Sequence, residues 1–172
     1  DNTFKFYNQK YFLICRRLVH RTGVLEFINL INKDKIFKKF SFIITGDGPL
    51  KKDISKILKN NIRYLGEVSE TNLNYLKKNA FCYIIPSLAA EGYCLLAKEA
   101  RILNKYVIHT NQGGLKESLK NYRGSKVFNI NDLNSLKRAF NELKLGHKKI
   151  YTNENFIENN FYKKLSILFS SA

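Results

Sequence analysis

The sequence has no methionine in 172 residues, so Asp1 is not a translation start and the chain is read as a piece of a longer protein. No apolar run approaches the ~20 residues needed to cross a bilayer, and the N-terminus shows no signal-peptide pattern. The three cysteines, Cys15, Cys82 and Cys94, form no C-x-x-C pair. Their odd number and wide spacing argue against a disulfide framework or a zinc site, and leave small core residues in a reducing, cytoplasmic compartment. H-E-x-x-H, D-x-D and a Ser/His/Asp arrangement are missing, which removes support for metal-dependent transfer and triad hydrolysis. His20 and His109 have no evident nucleophile partner and are not expected to act as bases.

With 44% hydrophobic and 13% aromatic residues, the chain reads as one globular domain over 1–172. Its net charge of +16 would attract nucleic acid, anionic lipid headgroups or a phosphorylated ligand. The lysines are strewn along the helices rather than gathered into a block, as on a solvated basic surface. No basic–aromatic stripe is laid out for base stacking, so no specific nucleic-acid partner is expected.

Short apolar runs alternate with helical patterns. Strands are expected at Tyr11–Cys15, Phe40–Thr45, Asn61–Gly66, Ala80–Pro86, Tyr106–Thr110 and Ser125–Asn129. Helices are expected over Gly23–Lys33, from Pro49 onward, after the cap Ser69, over Gly92–Leu103, after Gly113, after the cap Asp132, and over Asn153–Phe169. Such alternation implies an α/β fold, a doubly wound Rossmann-like six-stranded parallel sheet with helices on both faces. Ligands of such sheets lie beyond the carboxyl ends of the strands, where the loops "RRLVHRTG", "TGDGP", "PSLAAEG" and "HTNQGG" fall.

Glu91 stands at a helix mouth, where the dipole alone accounts for an anion. Glu99, eight residues on, falls on the apolar side with Leu95, Leu96 and Leu103, while Lys98 and Arg101 are read on the solvated side. A carboxylate on the inner stripe needs hydrogen-bond donors, which sugar or ribose hydroxyls would supply. Eight residues rise about 12 Å, comparable to the span between the two sugars of a nucleotide-sugar. Gly46 and Gly48 read equally as a turn or as a close approach to ligand. Gly113 and Gly114 read as an ordinary turn or as a phosphate-binding helix start. Arg17, flanked by Arg16 and Arg21, could clamp a diphosphate or point to solvent.

In order and spacing, "RRLVHRTG", "TGDGPL", "NIRYLGEV", "PSLAAEGYCLLAKEA" and "NQGGLKE" resemble the C-terminal, donor-binding half of GT-B fold glycosyltransferases, specifically the retaining family-4 group. The likeness runs from Tyr11 to Phe169. It implies transfer of a sugar from a nucleotide-sugar to a glycan or lipid-linked acceptor, in polysaccharide, lipopolysaccharide or glycolipid assembly. The donor would be the only small-molecule requirement, with no metal and no cofactor. By the resemblance Glu91 contacts the donor sugar, Glu99 the ribose, and Arg17 the diphosphate. The segment from Arg63 to Val68 borders the nucleobase, while Gly92 and Tyr93 face the phosphates and sugar. The family's lysine five residues after the arginine is Thr22 here, so that either Arg21 beside it supplies the charge or phosphate affinity is reduced, and its glycine after the aromatic is Cys94, which would crowd the backbone near the donor. An N-terminal acceptor domain would lie outside the chain, which is then expected to bind nucleotide but to transfer no sugar alone. Cytoplasmic location, including the cytoplasmic face of a membrane, goes with this reading. The alternatives are a basic Rossmann-like module binding nucleic acid or anionic membrane, and a sugar phosphorylase or epimerase relative sharing the fold.

Overall fold

Tyr11 and Phe12 sit side by side on a strand and are both buried, so the strand must be covered on both faces. The computed structural model describes residues 10–90 and 92–145; Glu91 and the expected helix Asn153–Phe169 lie outside the described residues. Six strands, β1 (Tyr11–Cys15), β2 (Ser41–Thr45), β3 (Ile62–Tyr64), β4 (Cys82–Ile85), β5 (Tyr106–Thr110) and β6 (Ser125–Phe128), form one sheet in the order β3-β2-β1-β4-β5-β6. Every pairing is parallel. Strand order reverses between β1 and β4.

Helices α1 (Val24–Asn32), α2 (Lys51–Lys56) and α6 (Leu133–Leu145) cover one face. Helices α3 (Glu70–Asn79), α4 (Leu95–Ile102) and α5 (Gly114–Ser118) cover the other. Alternate strand residues feed the two cores: Phe12, Ile14, Phe42 and Ile84 pack on the α1 side, and Tyr11, Leu13, Ile43 and Tyr83 on the α3 side. Ser69 caps α3 by accepting from the Asn72 amide, and Asp132 accepts from the Asn134 amide at the start of α6.

The elements come where the sequence reading puts them, with local differences that have physical causes. A 3-10 turn over Lys35–Lys39, capped by Asp34, delays β2 to Ser41. α2 starts after Pro49, because the Leu50 amide bonds back to the Leu18 carbonyl, and it stops at Lys56, where Asn32 takes the Ile57 carbonyl. β3 is an edge strand with β2 as its one partner and ends before the left-handed Gly66. Gly23, also left-handed, opens α1 where a Cβ would lie 1.9 Å from the Pro86 carbonyl oxygen; only glycine fits there.

Candidate functional site

The exits of β1, β2 and β3 are laced together by backbone bonds from Arg16 to Thr45, Leu18 to Asp47, and Gly46 to Gly66. The Thr45 hydroxyl donates to the Gly66 carbonyl and the Tyr64 hydroxyl to the Gly46 carbonyl. Above this floor opens a cleft of about 630 Å³. Its walls are Cys15, Arg16 and Arg17 from β1, Thr45 to Gly48 from β2, Glu67 and Val68 after β3, and Leu73 of α3. The glycines of "TGDGP" are required by the chain itself. A Cβ at Gly46 would meet the Arg16 carbonyl oxygen at 2.0 Å, and one at Gly48 the Leu18 oxygen at 2.4 Å. They form a cleft wall of bare backbone.

The adjacent arginines part company. Arg17 is exposed at the cleft and makes no ion pair among the described residues. Arg16 reaches across the point of strand reversal, donating to the Ser87 hydroxyl at 3.2 Å and to the Cys94 sulfur at 3.8 Å. Thr22 is buried, its hydroxyl 2.7 Å from the Arg17 and Val19 carbonyls, so it folds the loop rather than facing a ligand. Arg21 accepts the Leu88 amide on its carbonyl, while its exposed side chain is not part of the cleft wall.

Glu99 neither turns out into water nor stands free. Its Oε2 lies 2.7 Å from Lys77 Nζ, with the two side chains 34% and 14% exposed. Oε1 makes no hydrogen bond among the described residues. Both charges act on Cys15, which lines the cleft: burial pushes its thiol up, Lys77 pulls it down and Glu99 pushes it further up. The ion pair joins α3 to α4, and neither partner is among the residues that line the cleft. Lys77 escaped the sequence reading, although Leu73, Leu76, Lys77 and Ala80 share one helical stripe.

The expected stripe of α4 is corrected. The helix begins at Leu95, with Cys94 at its cap, and Leu95 is 65% exposed. The buried residues are Ala97, Ala100 and Arg101. Arg101, read as solvated, is 8% exposed; it donates to the Ser118 carbonyl at 2.9 Å and lies over the Tyr122 ring. A cation that binds the last carbonyls of α5 is better placed inside than out.

The remaining expected residues are spread around the carboxyl edge. Gly92 and Tyr93 form an exposed ridge, with Lys98 Nζ 4.1 Å from the Tyr93 ring centre and open space around Gly92. Gly113 and Gly114 start the short α5, next to a second hollow of about 470 Å³ over β5 and β6 that includes Asn111 and Gln112. Arg63 pairs with Ile43 in mid-strand, outside the cleft; Glu67 and Val68, at the far end of that segment, line it. His20 is exposed beside Glu26, and buried His109 has its Nδ1 2.9 Å from the Thr110 carbonyl oxygen. Burial holds the His109 imidazole below its ordinary pKa. The three thiols are free.

A six-stranded parallel sheet with its cleft at the carboxyl edge defines a Rossmann-like α/β domain. The chain belongs to the glycosyl transferases group 1 family, whose sequence model matches residues 2–161. It is 30% identical over 109 residues to an uncharacterized glycosyltransferase of Methanocaldococcus jannaschii, covering 60% of this chain and 30% of that protein. The Anabaena protein HepE, solved in complex with UDP, superposes with a TM-score of 0.69 at 17% identity, over 95% of this chain and 49% of that one. The catalytic domain of the Helicobacter pylori cholesterol-alpha-glucosyltransferase gives 0.64 at 13% identity, over 91% and 97%. The chain thus spans less than a third of the archaeal relative and about half of the Anabaena protein.

Proposed function

We propose that the chain is the donor-binding domain of a retaining, family-4 enzyme. It would move a sugar from a nucleoside-diphosphate donor to a glycan or lipid-linked acceptor in the cytoplasm, in polysaccharide or lipopolysaccharide assembly. The observation that carries this reading is the cleft itself, walled by bare backbone and lined by the exposed guanidinium of Arg17. Arg17 meets the diphosphate with paired hydrogen bonds, and Arg16, fixed by Ser87 and Cys94, adds positive charge behind it. Glu99 is steadied by Lys77 through one oxygen and keeps the other for ribose hydroxyls. Glu91 contacts the donor sugar. As the sugar leaves, the arginines stabilise the charge growing on the diphosphate, a task that needs fixed positive groups rather than a metal. HepE has also been solved with UDP-glucose, which supports a nucleotide-sugar as the ligand of this fold.

Titration calorimetry with UDP, GDP and ADP tests the reading. One of them is expected to bind, and Arg17→Ala to weaken it about 10- to 100-fold, the range for losing hydrogen bonds to a charged group. Folded protein that binds none of the three overturns it.

A further inference from the structure

The cleft lies at one edge of the sheet; the opposite, amino-terminal edge carries a different chemistry. Residues 33–39, which lead into β2, hold four lysines. Lys59 precedes β3 and bonds the Asn32 carbonyl at the end of α1. Lys10 lies over the Phe81 ring at the start of β4, and Lys105, before β5, bonds the Lys78 carbonyl. In the sheet order β3-β2-β1-β4-β5 these lysines stand at or beside the entrances of neighbouring strands, which makes one rim. None is ion-paired among the described residues, and Asp34, which stands within the 33–39 run, is taken by Lys137 of α6.

Helix dipoles explain part of this. Lys59 and Lys105 each serve a terminal carbonyl. The lysines of the 3-10 turn Lys35–Lys39 serve none among the described residues, and a turn that short has little dipole to balance. Among them Ile36 is exposed, and beside Lys38 and Lys59 lies a hollow of about 360 Å³ floored by Leu58, Asn60 and Asn61. We infer that this rim docks on the surface of an anionic phospholipid bilayer, the lysines meeting headgroup phosphates and Ile36 entering the interface. Exposed lysines around one apolar side chain suit a lipid surface. Nucleic acid would call for exposed rings to stack on bases, but the rings here, Phe40, Phe81 and Tyr106, are half-buried in contacts with one another or with Phe12. No helix among the described residues is long and apolar enough to cross a membrane; the docking inferred is to the bilayer surface. The strands separate rim from cleft by about 17 Å, five residues at ~3.4 Å each, which leaves the cleft open away from the lipid. This inference stands apart from the donor reading, because its test contains no nucleotide.

The test is flotation of the 172-residue chain with vesicles of phosphatidylcholine alone and of phosphatidylcholine with an equal part of phosphatidylglycerol. Binding is expected to the anionic vesicles only. Each lysine near such a surface contributes roughly fivefold in partitioning, so the double variant Lys38→Gln/Lys39→Gln should lose about 30-fold. The double variant Lys52→Gln/Lys116→Gln, with the same change in net charge away from the rim, should stay within about twofold of the parent. Lys10→Gln/Lys35→Gln repeats the rim test should the first pair fold poorly. Equal losses in rim and control variants, binding to neutral vesicles, or no binding at all would overturn the inference. So would tighter binding to an oligonucleotide that the rim substitutions abolish.

Discussion

The two faces of the sheet are built from different aromatics. On the α1 side, Phe12 stacks with Phe40, Phe42, Phe81 and Phe140 at centroid distances of 4.8–5.7 Å. On the α3 side the large rings are tyrosines, and each hydroxyl takes a backbone carbonyl near a helix end. Tyr11 bonds Leu76, Tyr83 bonds Lys77, and Tyr122 bonds Lys105, at 2.7, 3.0 and 2.7 Å. That face also carries Arg101, His109 and the Lys77–Glu99 pair, and it supplies Cys15, Val68 and Leu73 to the cleft. The dry face holds the fold, while the wet face orients the helices whose side chains border the candidate site.

Substitutions can break this contrast. Phe12→Ala should cost about 3–5 kcal/mol in urea denaturation, because four rings lose a neighbour. Tyr11→Phe should cost only about 1–2 kcal/mol, the penalty of leaving the Leu76 carbonyl without its donor. Equal costs would mean that the two faces do not differ as described.

A subtler effect concerns the thiol at the cleft. Lys77→Met removes the charge that favours the Cys15 thiolate, so alkylation of Cys15 should slow by about two- to fivefold, in the range of a partly exposed charge pair. Glu99→Gln should speed it by a similar factor, and a nucleotide bound in the cleft should protect it in the parent chain. Rates that ignore both substitutions would put the thiol out of reach of the ion pair's charges.

The smallest effect belongs to His109. Its folded pKa lies below the ordinary 6.5 because burial disfavours the charged ring. Its neutral form is therefore the one the fold tolerates, and the stability it contributes is full above about pH 6.5 and lost as pH falls through the lower folded value. Melting temperatures measured between about pH 8 and pH 5 should decline more for the parent than for His109→Gln. A parallel decline in both proteins would assign the pH dependence elsewhere.

Legibility in the sequence followed the same division. Both-face burial writes itself as unbroken apolar runs, so β1 and β5 fall where the runs do, and Ser69 and Asp132 announce their helices. The site was harder because its decisive features are pairings across the sheet. Nothing in "CRR" says which arginine will be held by Ser87 and Cys94. The α4 helix misled because a buried arginine looks polar in sequence and an exposed Leu95 looks apolar. The glycines of the β2 exit were legible as special but not as to cause, since the crowding carbonyls come from Arg16 and Leu18, some 30 residues earlier in the chain.

The alternation of Tyr11 with Phe12, and of Phe42 with Ile43, also guards against misassembly. Were β1 to slide by a single position against its neighbours, a phenol would be thrust among hydrocarbon rings, and a benzyl group would replace the donor that the end of α3 requires. Both errors carry a penalty at once, so the chain has one alignment to settle into and a steep cost on either side of it.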